Sequence, residues 1–194
     1  MKMPNKKTVA LTDESYKSII TTIRTGFKLE NKNIKPNERI ATALVVEANL
    51  GMRIGDILAL HMSDFIKDGD RYRLDIVEKK TSKKRVFTVP KEIYDFIQNY
   101  AYTNEIKISA KLFDISERTV QKHLEAVSKY LNIKDLGTHS FRKFFATQIY
   151  IDSNYNIELV RVLLQHSSIT VTQKYIGIQT KEIEQALNNH IKLL

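Results

Sequence analysis

Residues 51–60 of the chain are Gly51-Met52-Arg53-Ile54-Gly55-Asp56-Ile57-Leu58-Ala59-Leu60. An apolar helical segment and a glycine precede Arg53, and a second apolar helical segment follows it. We therefore expect Arg53 to lie at a junction between two helices, which would fix the backbone from which its guanidinium projects. Asp56 lies one turn after Arg53, at a spacing that allows a helical side-chain pair.

Apolar periodicity predicts helices on both sides of this stretch. Thr12 and Asp13 offer N-caps to a helix that runs to about Phe27, and Pro36-Asn37 opens a second helix that ends near Leu50. A short helix is expected over 53–60. After Pro90 the pattern predicts helices at 91–102, 117–131, 139–152, 156–165 and 168–175, and a last one at 181–192.

Between residues 63 and 89 the apolar period changes from that of a helix to that of a strand. Tyr72, Leu74 and Ile76 alternate with polar residues, and a second apolar run reaches Val89 after a lysine-rich turn. Asp68-Gly69-Asp70 is typical of a turn. The expected fold class is therefore mainly α (α+β), with a small three-stranded antiparallel sheet, in one domain over residues 1–194.

Composition favours a polyanionic partner. The 194 residues include 31 Lys and Arg against 22 Asp and Glu, which gives a net charge of +9. Cysteine is absent, which excludes a disulfide scaffold and agrees with a cytoplasmic location. The longest apolar runs are far shorter than the roughly 20 residues that a membrane span requires. The N-terminal residues do not resemble a secretory signal.

Three further groups of polar residues have side chains that could act on a phosphodiester. His139 and Arg142 stand three residues apart on a predicted helix and should share a face, while His166 precedes the turn Ser167-Ser168. Two arginine forks, Arg53 and Arg142, can hold a phosphate and stabilise the charge of its transition state. Histidine can donate to a phosphoryl oxygen or accept a proton near neutral pH. The phenol of Tyr175 would be a nucleophile once deprotonated, and neighbouring cations would favour its anion.

From about Thr12 to about Ile178, the order and phrasing of these residues closely resemble the catalytic domain of the tyrosine recombinases, the phage-integrase family. The resemblance implies a site-specific recombinase or integrase that cleaves one DNA strand at a time through a covalent 3′-phosphotyrosyl link. It implies no cofactor and no metal. In this chain the matching catalytic residues are Arg53, Lys80, His139, Arg142, His166 and Tyr175, with Asp56 in a supporting role that orients the arginine and the histidines.

The lysine-rich turn of the predicted sheet is Glu78-Lys79-Lys80-Thr81-Ser82-Lys83-Lys84-Arg85. The resemblance implies that Lys80 is the general acid that protonates the departing 5′ oxygen. A different alignment of this turn, in which Lys79 or Lys83 is the general acid, stays open. The neighbouring cations are expected to contact DNA backbone phosphates without sequence specificity. These predicted DNA-binding residues are Lys79, Lys83, Lys84 and Arg85.

The chain departs from the family pattern at three positions. Gln165 replaces the glycine that usually precedes the histidine, and its side chain could perturb His166. Lys143 replaces a frequent histidine, and Phe141 replaces leucine; we expect both to be tolerated. Little sequence precedes the first predicted helix, so the N-terminal core-binding domain that usually accompanies this catalytic domain is expected to be absent.

The C-terminal tail, residues 177–194, is expected to form an amphipathic helix with Ile183, Leu187 and Ile191 on one face. The resemblance implies that such a helix docks into a neighbouring protomer, within a tetramer on double-stranded DNA. Packing of the helix on its own domain is an equally good interpretation.

Two other classes of protein fit parts of the sequence. Residues 110–124 resemble the helix-turn-helix of bacterial regulators, with Ser116 as the N-cap of a recognition helix. A non-catalytic regulator would leave the six polar residues unexplained. A type IB topoisomerase would share the tyrosine chemistry but relax supercoils without exchanging strands between partners.

Overall fold

The structure is a computed structural model that describes residues 8–77, 82, 84–176, 187, 188 and 190, with the backbone alone for Arg85. The chain divides into two compact units, residues 1–145 and 146–194. Each is described separately below, and the single domain expected over 1–194 stays a prediction.

The first unit begins with two capped helices, α1 (Asp13–Thr25) and α2 (Glu38–Leu50). The Thr12 hydroxyl accepts a hydrogen bond from the Ser15 backbone N–H at 3.2 Å, and the Asn37 side chain accepts one from Ile40 at 3.0 Å. Each cap satisfies a backbone donor that has no partner within its helix. Both predicted helix starts are confirmed.

The remaining helices also follow the predicted pattern. They are α3 (Ile54–Ile57), α4 (Lys91–Thr103), α5 (Glu117–Tyr130) and α6 (Thr138–Asp152), which crosses the unit boundary, and in the second unit α7 (Ile157–Leu164) and α8 (Ile169–Gln173). The helix expected at 181–192 lies mostly outside the described residues. None of the helices in the described part of the chain is both long and apolar enough to cross a membrane.

Two antiparallel sheets lie in the first unit. The hairpin of β1 (Phe27–Leu29) and β2 (Lys32–Ile34) was not predicted, because strands of three residues are too short to show a period. The predicted three-stranded sheet is confirmed, with β3 (Phe65–Asp68), β4 (Arg71–Val77) and β5 (Lys84–Val89) in that order. Its first turn contains Gly69 at φ +64°, as expected.

The helix-turn-helix interpretation is wrong. Ser116 is indeed the N-cap of α5, and its hydroxyl accepts a hydrogen bond from the Thr119 N–H at 3.1 Å. The preceding residues, 104–116, contain no helix, and two of them, Leu112 and Phe113, are buried in the hydrophobic core. The motif needs a helix packed ahead of its recognition helix, and α5 has none at that position in the described chain.

Gly51 is the point at which α2 ends and the chain turns toward Arg53. It adopts the left-handed conformation at φ +59°, and its N–H donates to the Glu47 carbonyl at 2.9 Å. A Cβ atom at this position would lie 2.2 Å from the ring of Phe145. Both the conformation and the close approach therefore require glycine.

We predict that Gly51→Ala lowers the free energy of unfolding by about 3 kcal/mol, because left-handed strain adds to a clash with a buried ring. Gly69→Ala is the matched control, since Gly69 has φ +64° but open space around it. That control should cost about 1 kcal/mol. Urea unfolding of the two variants measures the difference, and equal losses would show that the contact with Phe145 does not matter.

Candidate active site

In the first unit, Arg142 is tied to the turn that carries Arg53. Nη1 of Arg142, on α6, donates to the Gly51 carbonyl at 2.5 Å, and the whole Arg142 side chain is buried. Arg53 stands at the N-cap of α3 and is partly exposed. The structure therefore brings together the elements that carry the two predicted arginines, which lie far apart in the sequence.

The environment of Arg142 offsets the cost of burying its charge. Its guanidinium meets the carboxyl end of α2, where the helix dipole favours a cation. Glu47, one turn before Gly51 on the same helix, is completely buried. Burial raises the pKa of Glu47 well above 4.5, and the Arg142 charge and the Ile54 N–H oppose that shift in part. A small repulsion from Glu117 adds to the rise.

Glu47 is a site residue that sequence reasoning missed. The residues that precede it in α2, from Ile40 to Val46, are apolar or buried, so a single carboxylate within that stretch was the available signal. Periodicity alone assigns such a residue to the end of an apolar run. The buried position becomes meaningful once α6 is known to place Arg142 beside the end of α2.

We predict that Glu47→Gln removes a pH-dependent loss of stability. A folded carboxyl with a raised pKa retains its proton at pH values where the unfolded carboxyl has lost it. The wild-type free energy of unfolding should therefore fall, relative to Glu47→Gln, as the pH rises from 4.5 through the raised folded pKa.

Unfolding curves between about pH 4 and pH 8 measure this difference. Glu14→Gln, at an exposed position in the first turn of α1, is the control and should follow the wild type across the range. A Glu47→Gln curve parallel to the wild-type curve would show that Glu47 ionises as an ordinary exposed carboxyl does.

Asp56 and His139 complete the predicted residues described in the first unit. Asp56 is buried, and its backbone N–H donates to the Arg53 carbonyl at 2.9 Å. His139 lies in the first turn of α6 and is exposed, unlike Arg142 one turn later. The supporting role of Asp56 and the catalytic role of His139 stay predictions.

The lysine-rich turn lies largely outside the described residues. Lys79, Lys80 and Lys83 are not described, so the register of the predicted general acid stays a prediction. Lys84 and Arg85 belong to β5, where they pair with Val77 and Ile76 of β4. The Lys84 ammonium lies 3.2 Å from the partly buried Asp75 carboxylate, and because Lys84 is exposed this ion pair is expected to contribute little stability.

In the second unit, His166 and Tyr175 lie side by side. Their ring centroids are 4.7 Å apart, and the rings are tilted by 58°. His166 is buried, and its backbone is held by Arg161, whose Nη1 donates to the His166 carbonyl at 3.0 Å. Nδ1 of the imidazole lies 3.1 Å from the hydroxyl of Thr172, which sequence reasoning did not single out.

The backbone conformation of Gln165 favours glycine, the residue that the family resemblance implies at this position. It ends α7 in the left-handed conformation at φ +53° and ψ +39°, and its N–H donates to the Val162 carbonyl. A residue other than glycine is strained there. The departure therefore carries a backbone cost, and the expected effect of the Gln165 side chain on His166 stays a prediction.

We predict that Gln165→Gly raises the free energy of unfolding by about 0.5–1 kcal/mol, because glycine relieves the left-handed strain at the end of α7. Gln98→Gly, at an exposed position within α4, is the matched control and should lower it by about 1 kcal/mol. Thermal unfolding compares the two variants. Destabilisation by both would indicate that the Gln165 side chain contributes more than its backbone costs.

Comparison with solved structures identifies the fold. The XerH site-specific recombinase bound to its palindromic difH substrate, in a post-cleavage complex, aligns with a TM-score of 0.67 and 20% identity, over 95% of this chain and 54% of that one. The catalytic domain of bacteriophage HP1 integrase aligns with a TM-score of 0.63 and 17% identity, over 94% of this chain and 95% of that domain. The fold is that of a tyrosine recombinase catalytic domain, as predicted.

Sequence comparison identifies the family. A model of the phage integrase family matches residues 1–182. The probable integrase/recombinase YoeC of Bacillus subtilis is 31% identical over 152 residues, which are 75% of this chain and 81% of YoeC. Tyrosine recombinase XerC of Caldanaerobacter subterraneus is 23% identical over 199 residues, covering 97% of this chain but only 53% of XerC. The chain belongs to the phage integrase family, and it spans about half the length of that XerC.

Proposed function

We propose that this chain is the catalytic part of a site-specific recombinase or integrase that cleaves and rejoins DNA through Tyr175. The observation that carries the proposal is the pairing of the Tyr175 ring with the imidazole of His166, at 4.7 Å, in a chain that belongs to the phage integrase family. An imidazole next to a phenol can accept the phenolic proton and return it.

In this proposal the Tyr175 oxygen forms a bond to the scissile phosphorus, and the bond from phosphorus to the 5′ oxygen breaks. Arg53 and Arg142 hold the phosphate and stabilise the charge that grows on its oxygens. His139 contributes a further donor to the phosphate, and Lys80 gives its proton to the departing 5′ oxygen. Attack by a 5′ hydroxyl on the phosphotyrosyl bond reverses the reaction, so neither a metal nor a cofactor is required.

Double-stranded DNA is the proposed partner. The net charge of +9 favours a polyanion, and the contacts of a basic surface with backbone phosphates would be sensitive to salt. Assembly into a tetramer on DNA through residues 177–194, and a cytoplasmic location, belong to the same proposal. The similar proteins are named as recombinases and integrases, which favours this function over that of a type IB topoisomerase.

The test is covalent capture of DNA by the protein. The substrate is a pool of nicked duplexes with a randomised central sequence, so that no target site has to be assumed. The nick lets the short fragment with the freed 5′ hydroxyl diffuse away, and the covalent adduct then cannot be reversed. We predict that the wild type forms an adduct that withstands denaturing electrophoresis and that sequencing of the captured DNA yields one preferred site. Tyr175→Phe should form none, because the nucleophilic oxygen is missing.

Tyr155→Phe is the matched control, since Tyr155 is an exposed tyrosine of the same unit. It should form the adduct at the wild-type rate. Retention of the adduct in Tyr175→Phe would move the nucleophile to another residue. An adduct-free wild type that still binds DNA would contradict the proposed enzyme.

A further inference from the structure

The hydroxyl of Thr172 makes two polar contacts within the second unit. It lies 3.1 Å from Nδ1 of His166 and 3.3 Å from the carbonyl oxygen of Ser168. Thr172 is completely buried, so water does not replace either contact. The three groups therefore form a short chain of hydrogen bonds behind the imidazole, on the last turn before Tyr175.

The number of protons that these hydrogen-bonding groups carry selects one arrangement of donors and acceptors. A threonine hydroxyl carries a single proton but has lone pairs that can accept another. The Ser168 carbonyl can only accept, so the hydroxyl must donate to it if that contact is a hydrogen bond. Nδ1 of His166 must then carry a proton and donate to the hydroxyl oxygen. In the opposite arrangement a lone pair of the hydroxyl oxygen would face the part-buried Ser168 carbonyl, which would then accept only the Thr172 backbone N–H, at 3.3 Å.

We infer that Thr172 is a positioning residue that holds the neutral His166 in its Nδ1–H tautomer, through the hydroxyl that links it to the Ser168 carbonyl. The ring nitrogen on the other side, Nε2, then carries the lone pair. The same hydrogen bonds remain satisfied when His166 is protonated at both nitrogens, so the hydroxyl does not have to turn as the charge changes.

The consequence for catalysis rests on the proposed function. With its lone pair at Nε2, His166 is prepared to take the phenolic proton of Tyr175 as the tyrosine oxygen bonds to phosphorus. The product is an imidazolium whose Nδ1–H is still held by Thr172. In the reverse reaction the imidazolium returns that proton to the departing tyrosine.

The tautomer can be measured without DNA. The full chain, labelled with nitrogen-15 histidine, is studied by NMR at about pH 8.5, where an ordinary imidazole is neutral. Protonated and unprotonated ring nitrogens differ widely in chemical shift. The chain has five histidines, and the spectrum of His166→Gln identifies the His166 signals by their loss.

We predict a protonated Nδ1 for His166 in the wild type. In Thr172→Val, which has nearly the same shape but lacks the hydroxyl, the proton should shift toward Nε2. Thr172→Ser keeps a hydroxyl and should restore the wild-type spectrum. Thr170→Val, at an exposed position on the same helix, is the matched control and should leave it unchanged. Melting curves verify that each variant is folded.

Adduct formation supplies the second measurement. Thr172→Val should slow it about tenfold, the effect of losing one hydrogen bond to the reacting group, and Thr172→Ser should recover most of the rate. A wild-type His166 protonated at Nε2, or a tautomer that does not change in Thr172→Val, would overturn the inference. If no protein in the series forms an adduct, the proposed function fails, while the spectra still decide the tautomer.

Discussion

The buried charge of Arg142 constrains how the first unit packs. A guanidinium without solvent contact is tolerated only where acceptors and negative charge surround it. One acceptor here is the backbone carbonyl of Gly51, at the end of a helix whose dipole favours a cation. The position of α6 relative to α2 and the left-handed turn at Gly51 both help to offset that cost, whereas the buried Glu47 carboxyl is itself costly to ionise.

The second unit orients its polar residues by local contacts. Arg161, Thr172 and Ser168 all lie within a few residues of His166, and together they fix both its backbone and its ring. Contacts of low sequence separation cost little chain entropy to form. Arg142, by contrast, reaches Gly51 across 91 residues. The Arg142 bond therefore requires α6 to be packed beside the end of α2, whereas the contacts around His166 need only α7 and α8.

This difference also explains what the sequence could predict. Helix starts at Thr12 and Asn37 were predictable because a cap is a local hydrogen bond between near neighbours. The hairpin of β1 and β2 was not, since three-residue strands carry no measurable period. Glu47 was missed because its meaning depends on a partner that is distant in sequence. The family resemblance supplied the order of the predicted catalytic residues, but not the contacts around them.

The departures from the family pattern can now be interpreted by position. Phe141 is completely buried and makes an edge contact with Tyr16, with ring centroids 6.2 Å apart, so it fills core space as a leucine would. Lys143 donates to the backbone carbonyl of Thr8, a bond that holds the N-terminal segment against α6. Gln165 costs backbone strain at the end of α7. Phe141 and Lys143 are thus accommodated by contacts of α6 within the first unit, Gln165 by the backbone at the end of α7, and none of the three departures replaces a predicted catalytic residue.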